Sequence, residues 1–221
     1  MKRSVEGVSS PYFVQSKESK ASPIKRSKKE KFDGIPVEQI LEKKLPDHLA
    51  PNLDILFVGI NPGLMSAFKG HHYCGHNNHF WPCLYESGLV PEKLTFTDDH
   101  RCLEYKIGLT NIVERTTRSS SDLSTQEIKA GIEEMNRKVA ETNPVIVCFN
   151  GKGIYEVFSK KKCNVGLQSN RYPGTNSAMY VMPSTSGRTM SYPRKSDKLV
   201  FFQELKQLLE SSRKENTLQD K

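Results

Sequence analysis

The stretch Gly59-Ile60-Asn61-Pro62-Gly63 closes a short apolar run, Leu56-Phe57-Val58, and places an amide where a strand has to stop. Pro62 removes a backbone donor and Gly63 weakens extended structure, so the run cannot continue through them. Asn61 cannot take up a proton at neutral pH, but its carbonyl oxygen can fix a water molecule. Asn, Pro and Gly are also the common turn residues, and on this stretch alone an ordinary strand-to-loop turn is the simpler reading.

Other groups of reactive types have to be weighed beside it. His71, His72, Cys74, His76, His79 and Cys83 form a dense Cys/His run. Zinc would require four ligands at spacings such as C-x2–4-C and H-x3–5-H, which this run lacks, and a polar loop over a cleft is the alternative. Ser184, Thr185 and Ser186 suggest a nucleophile, but no G-x-S-x-G elbow is present. Asn150-Gly151-Lys152-Gly153 lies between a strand and a helix, yet neither GxxxxGK[ST] nor GxGxxG occurs, so close backbone packing explains it better than a nucleotide cofactor. Arg188 ends a loop of small residues. Such a loop can approach a helical surface and let the guanidinium reach into it, although a solvated surface Arg is the plain alternative.

The elements that must position these residues alternate in type. Residues 54–60, 107–113, 144–149 and 178–182 read as strands, the first a continuous apolar run of the kind covered on both faces. Residues 35–44 carry Val37, Ile40 and Leu41 at helical spacing, with Pro36 in the first turn and Pro46 beyond the end. Asn78 is a plausible N-cap for a helix through about residue 87. Ser124-Thr125-Gln126-Glu127 is a capping box that opens a helix to about residue 142. A further helix ends near residue 160, and the last spans 197–209. This order predicts an α/β fold, a three-layer αβα sandwich around a mostly parallel sheet. In such sheets, ligands collect outside the carboxyl ends of the strands, where Asn61, Asn111 and Ser184 fall.

The chain of 221 residues carries a net charge of +8. Residues 1–32 hold nine Lys and Arg against three Glu, which places six of those charges there. That segment reads as a disordered basic tail that anchors to a polyanion or simply solubilises, residues 33–210 as a single globular domain, and 211–221 as a short disordered tail. Five cysteines without CxxC spacing, no secretory h-region and no apolar run of membrane length indicate free thiols in a reducing compartment and no membrane partner. Lys25-Arg26-Ser27-Lys28-Lys29-Glu30-Lys31 reads as a nuclear import signal, which gives nuclear localisation as the expectation.

Five blocks of this chain resemble the uracil-DNA glycosylase superfamily, most closely its mismatch-specific thymine DNA glycosylase branch. They are Gly59-Ile60-Asn61-Pro62-Gly63-Leu64-Met65, Lys69-Gly70-His71-His72-Tyr73, Asn78-His79-Phe80-Trp81, Thr110-Asn111-Ile112-Val113-Glu114-Arg115-Thr116-Thr117 and Val181-Met182-Pro183-Ser184, in family order across residues 31–209. The resemblance implies an enzyme that flips a mispaired thymine or uracil out of duplex DNA and hydrolyses its glycosidic bond. It implies Asn61 as the residue that positions the attacking water and Thr117 as one that helps hold it. His72 is implied as a donor to the leaving base. Ile60, Gly63, Ser66, Tyr73 and Asn111 would form the base pocket. Ser184, Ser186, Gly187 and Arg188 would form the DNA wedge and backbone contacts.

The resemblance further implies no cofactor and no metal, and a monomer acting on double-stranded DNA with G·T or G·U mismatches beside downstream base-excision-repair proteins. A catalytically weakened mismatch-binding paralogue is the alternative. Asn61 orients water without deprotonating it, so good leaving groups such as uracil and oxidised 5-substituted cytosines should leave faster than thymine. Two departures bear on the site. Ser66 stands where the family usually has Ala, which would crowd a thymine methyl, and Gly187 stands where Ala is usual, which would loosen the wedge.

Overall fold

Three of the strands bury every residue, and this follows from their composition. The computed structural model describes residues 31–219. In it β1 (Ile55–Gly59), β3 (Ile146–Asn150) and the later β5 (Ala178–Met182) are buried along their whole length. With β2 (Ile107–Asn111) they pair in parallel, and the sheet order is β2-β1-β3-β5-β4. A parallel sheet needs cover on both faces, and successive side chains divide between them. Ile55 and Phe57 pack with Phe80, Leu84, Phe202 and Leu205. Leu56 and Val58 pack with Met135, Val139 and Tyr155. Helices α3 (Phe80–Glu86) and α6 (Lys195–Gln219) therefore cover one face, and α4 (Thr125–Thr142) and α5 (Lys152–Ser159) the other. The expected αβα architecture is the one observed.

The Ser124 capping box forms as the sequence predicts: Ser124 Oγ accepts from Glu127 N at 3.2 Å, and Glu127 Oε2 accepts from Ser124 N at 2.9 Å. Other elements depart from expectation. Strand β4 (Gly166–Arg171) pairs antiparallel with β5 through an irregular register. Its polar sequence carries no period-2 pattern, because an edge strand needs little apolar surface. Helices α1 (Val37–Leu41) and α2 (Leu64–Lys69) are short. α1 stops before the expected residue 44, since the charged Glu42-Lys43-Lys44 leaves nothing to bury. α2 ends at Gly70, whose φ of 75° supplies the left-handed cap.

Both expected domain edges need correction. Phe32 belongs to the folded part: it is buried with Ile40 and Ala67, its ring edge-on to Phe68 at 5.4 Å. At the other end α6 runs through the expected 211–221 tail as far as Gln219. No Gly or Pro stops it, and Arg213 pairs with buried Asp54. The rest of the expected 1–32 basic tail, residues 1–30, lies outside the described residues, as do residues 220–221.

The register aligns the strand ends. Gly59 sits opposite Asn111, and Asn150 opposite Met182. Beyond Gly59 and Asn111 the two chains continue side by side, with Ile112 N donating to Gly59 O at 3.0 Å and Val113 N to Ile60 O at 2.9 Å. A final parallel bridge joins Gly63 to Thr117. Residues 56 positions apart are thereby brought together at one sheet edge.

Candidate functional site

A cleft of about 840 Å3 opens at that edge, and every site residue expected from sequence lines it, from Ile60, Asn61 and Gly63 through Ser66, His72 and Tyr73 to Asn111, Thr117, Ser184, Ser186, Gly187 and Arg188. A second hollow of about 920 Å3, reaching toward Gly151 and Lys152, shares Ile60, Ser120, Asn150, Ile154, Ser184 and Thr189 with it.

The bridge between the 59–63 and 112–117 segments sets the Asn61 amide. Its Nδ2 donates to Arg115 O at 2.8 Å and to Thr117 Oγ1 at 2.7 Å. Both N–H groups are thus used, which assigns the amide orientation and leaves Oδ1 as an acceptor with no protein partner among the described residues. Thr117 in turn donates its hydroxyl proton to Ser119 O at 2.7 Å. Its single donor is spent, so Thr117 acts on Asn61 more directly than on a water. The segment is anchored from outside by Arg115, which pairs with Glu127 at 2.5 Å and donates to Asp122 O at 2.9 Å. Hydrogen bonds from Arg115 and from Ser124 hold the Glu127 carboxyl down at about 2.

Asn111 reaches the cleft because Gly59 lets it. A Cβ built on Gly59 would overlap Asn111 Oδ1, so only glycine permits this side chain to lie across β1. The Asn111 amide makes no hydrogen bond among the described residues and presents both a donor and an acceptor to a planar ligand.

His72 serves a different purpose from the expected donor to a leaving base. Its ring is buried, and Nε2 lies 2.9 Å from Pro46 O, a pure acceptor, so the ring proton sits there. Burial pushes its pKa down, more than the Pro46 contact raises it, which keeps the ring neutral with Nδ1 unprotonated. The backbone N–H is also taken, by Asp99 Oδ2 at 2.8 Å, and His72 O accepts from Trp81 Nε1 at 3.2 Å. No donor of His72 is left for a ligand. It fixes the wall of the cleft.

Asp99 is the residue that sequence reasoning missed. It is buried, with His71 Nδ1 at 2.9 Å and His48 Nε2 at 3.2 Å. Burial alone would raise its pKa, but His48, the His72 N–H and His71 together hold it well below the usual carboxylate range. One carboxylate thus ties the 71–73 loop to the segment before β1. The available signal was the Asp98-Asp99 pair after Thr95, of which the first caps the turn and the second turns inward. Tyr73 follows in the left-handed region, φ 53°, and stacks on Phe80 with centroids 4.0 Å apart.

Ser66, which departs from the family pattern, touches Cys74, with Cys74 Sγ 3.7 Å from Ser66 Oγ. The remaining Cys/His side chains diverge: His76 pairs with Asn77 at 2.7 Å and Cys83 Sγ approaches Lys195 O at 3.8 Å. Among the described residues, no three His, Cys, Asp or Glu side chains converge to hold a metal ion. No helix among them is long and apolar enough to cross a membrane.

The 183–189 loop completes the cleft. Asn150 holds it by a two-way amide contact, Nδ2 to Thr185 Oγ1 at 3.0 Å and Thr185 N to Oδ1 at 3.1 Å. His79 N donates to Thr185 O at 2.9 Å. A turn closed by Thr189 N to Ser186 O at 3.2 Å then carries Gly187 and the exposed Arg188 at its tip, and Met190 beyond it is 91% exposed. A Cβ on Gly187 would sit 2.5 Å from Asn77 Cβ and from Asn77 O. The expectation that this glycine loosens the loop is therefore reversed: it lets the turn seat tightly against residue 77.

The chain matches one protein family and is similar to a solved structure. The family model described as the uracil DNA glycosylase superfamily matches residues 46–209. A solution NMR structure of a candidate uracil DNA glycosylase from Methanosarcina acetivorans is 25% identical, covering 75% of this chain and 98% of its own, with a TM-score of 0.48.

Proposed function

From the premise that this chain belongs to the uracil DNA glycosylase superfamily and is a DNA glycosylase, we propose that it is a monofunctional, mismatch-directed enzyme that flips uracil or thymine from G·U and G·T pairs in duplex DNA and hydrolyses the N-glycosidic bond. An enzyme acting on a base must first extrude it, at a cost of a few kcal/mol that is smallest at a mismatch. Arg188, exposed at the tip of its turn and without an ion pair among the described residues, is the side chain placed to enter the vacated space and pair with phosphate. Asn111 meets the polar edge of the extruded pyrimidine. The observation that carries the reading is the doubly anchored Asn61 amide, whose free Oδ1 accepts a hydrogen from water at the cleft.

As the bond from C1′ to the base breaks, its electron pair departs with the pyrimidine and the sugar gains oxocarbenium character. Water held by Asn61 then adds to C1′, and its proton passes to the departed pyrimidine anion or to solvent. An amide cannot take that proton, so the rate depends on the leaving group, and uracil leaves faster than thymine. With His72 spent on Pro46, charge on the leaving base falls to Asn111 and to backbone N–H groups. We place the enzyme in the nucleus as a monomer that hands its abasic product to later base-excision-repair proteins.

Single-turnover excision from G·U, G·T and single-stranded uracil substrates tests this. Asn61→Ala should slow G·U excision by about a hundredfold or more with the fold intact. An Asn61→Ala protein as fast as the parent overturns the water-holding role. Binding to G·U duplex without any excision by the parent points to a mismatch-binding paralogue.

A further inference from the structure

Lys198 lies in the first turns of α6, is 1% exposed, and has no carboxylate within ion-pair distance among the described residues. A buried ammonium without an ion-pair partner is costly, and a sequence that keeps one gains something from it. Its Nζ donates to one acceptor, Ser186 O, at 2.7 Å. That carbonyl also closes the turn by accepting from Thr189 N. The turn behind Arg188 is therefore gripped from two sides, by Lys198 beneath and by Asn77 against Gly187. The neighbouring Asp197 favours the ammonium but less than burial disfavours it, and Asp197 is itself paired with Arg194; His79 is lowered by burial and by Lys198 and Lys195. Burial likewise pulls Lys198 downward.

We propose that Lys198 is a positioning residue for DNA distortion: its charge-assisted bond to Ser186 O holds the 186–189 turn in the shape that presents Arg188 to the duplex. This rests on the glycosylase reading of the cleft. A bond to a charged donor at the base of a turn stiffens it more than a neutral one, and the same positive charge lies behind a loop that must approach phosphate. Lys198 touches neither base nor water; it acts through Arg188.

The test is a double-mutant cycle in the full chain with Lys198→Met, Lys198→Gln and Arg188→Ala. Single-turnover G·U excision is followed together with the fluorescence of 2-aminopurine placed beside the uracil, which reports unstacking. Lys198→Met should lower both readouts about tenfold or more, and Lys198→Gln, which keeps a donor, should recover part. In the Arg188→Ala background, Lys198→Met should cost almost nothing further, because the route is already lost. Multiplying effects would overturn the proposal, as would a Lys198→Met protein equal to wild type. If Lys198→Met does not fold, as judged by circular dichroism, Lys198→Gln carries the same cycle. If wild type unstacks the duplex without excising, the catalytic reading fails while the fluorescence cycle still decides the role of Lys198. If wild type does neither, both fall.

Discussion

Replacing Thr117 with Val keeps the shape of the side chain and removes one oxygen. That oxygen accepts from Asn61 Nδ2 at 2.7 Å and donates to Ser119 O at 2.7 Å. After Thr117→Val, Asn61 retains only the bond to Arg115 O at 2.8 Å, and one of its N–H groups faces a methyl. A donor left unsatisfied in a partly buried place costs about 1–3 kcal/mol. The amide can recover that cost only by rotating, which takes Oδ1 away from the water it should hold. If the whole penalty appears in the transition state, excision slows by about 5- to 150-fold, at about 1.4 kcal/mol per decade. Binding to a G·U duplex should stay close to wild type, since Thr117 touches no expected DNA contact. Thr117→Ser restores the oxygen and should restore most of the rate. The assay is single-turnover release of uracil under saturating enzyme, with affinity measured separately on an uncleavable analogue. Wild-type speed in Thr117→Val, beside an inactive Asn61→Ala, refutes the claim that Thr117 sets the amide. Equal losses in the Val and Ser variants would assign the effect to packing.

Further outcomes follow from neighbouring contacts. Gly187→Ala places a Cβ where Asn77 leaves only 2.5 Å, a clash costing about 1–3 kcal/mol; unstacking of the duplex should fall while a pre-formed abasic product is still bound, and an unchanged 2-aminopurine signal would show that the turn has room. Ser66→Ala removes the hydroxyl that meets Cys74 and should raise G·T excision relative to G·U by up to about tenfold, read as a ratio of single-turnover rates; a ratio that stays put or falls rejects Ser66 as the obstacle to the methyl. The pH dependence follows from buried His72, whose folded pKa is depressed by burial. The unfolded chain takes up that proton near its ordinary value of about 6.5 while the folded one does not, so stability is present above that pH and is lost as pH falls below it. Thermal midpoints measured from pH 7.5 to 5 should decline less in His72→Gln than in wild type, and parallel curves would remove His72 as the cause.

The parts of this molecule that could be read from sequence are those written in local rules. β1, β3 and β5 are continuous apolar runs because both their faces are covered, and Ser124 with Glu127 announces α4 through a capping box that forms as expected. β4 stayed hidden because an edge strand with one partner needs no apolar alternation. At the site, residue types and family order brought Asn61, Asn111 and Thr117 to one cleft. Hydrogen-bond direction is a different matter, because it depends on partners distant in the chain. Nothing near His72 in sequence reveals that Pro46 O accepts from its ring N–H or that Asp99 accepts from its backbone N–H. Gly187 misleads for the same reason: its meaning is the proximity of Asn77, which lies 110 residues earlier.

Helix α6 does more than cover a sheet face. Its 25 residues extend about 37 Å at the usual rise. Near its start Lys198 holds the turn of Arg188, and toward its end Arg213 holds Asp54, at the foot of β1. The helix is thus a tie rod fastened at the mouth of the cleft and again at the opposite end of the strand that delivers Asn61. Loosening the far fastening, as in Asp54→Asn, leaves every cleft contact in place yet lowers the resistance of α6 to fraying. Such damage would register first as faster proteolysis and amide exchange, with excision failing only as the temperature rises.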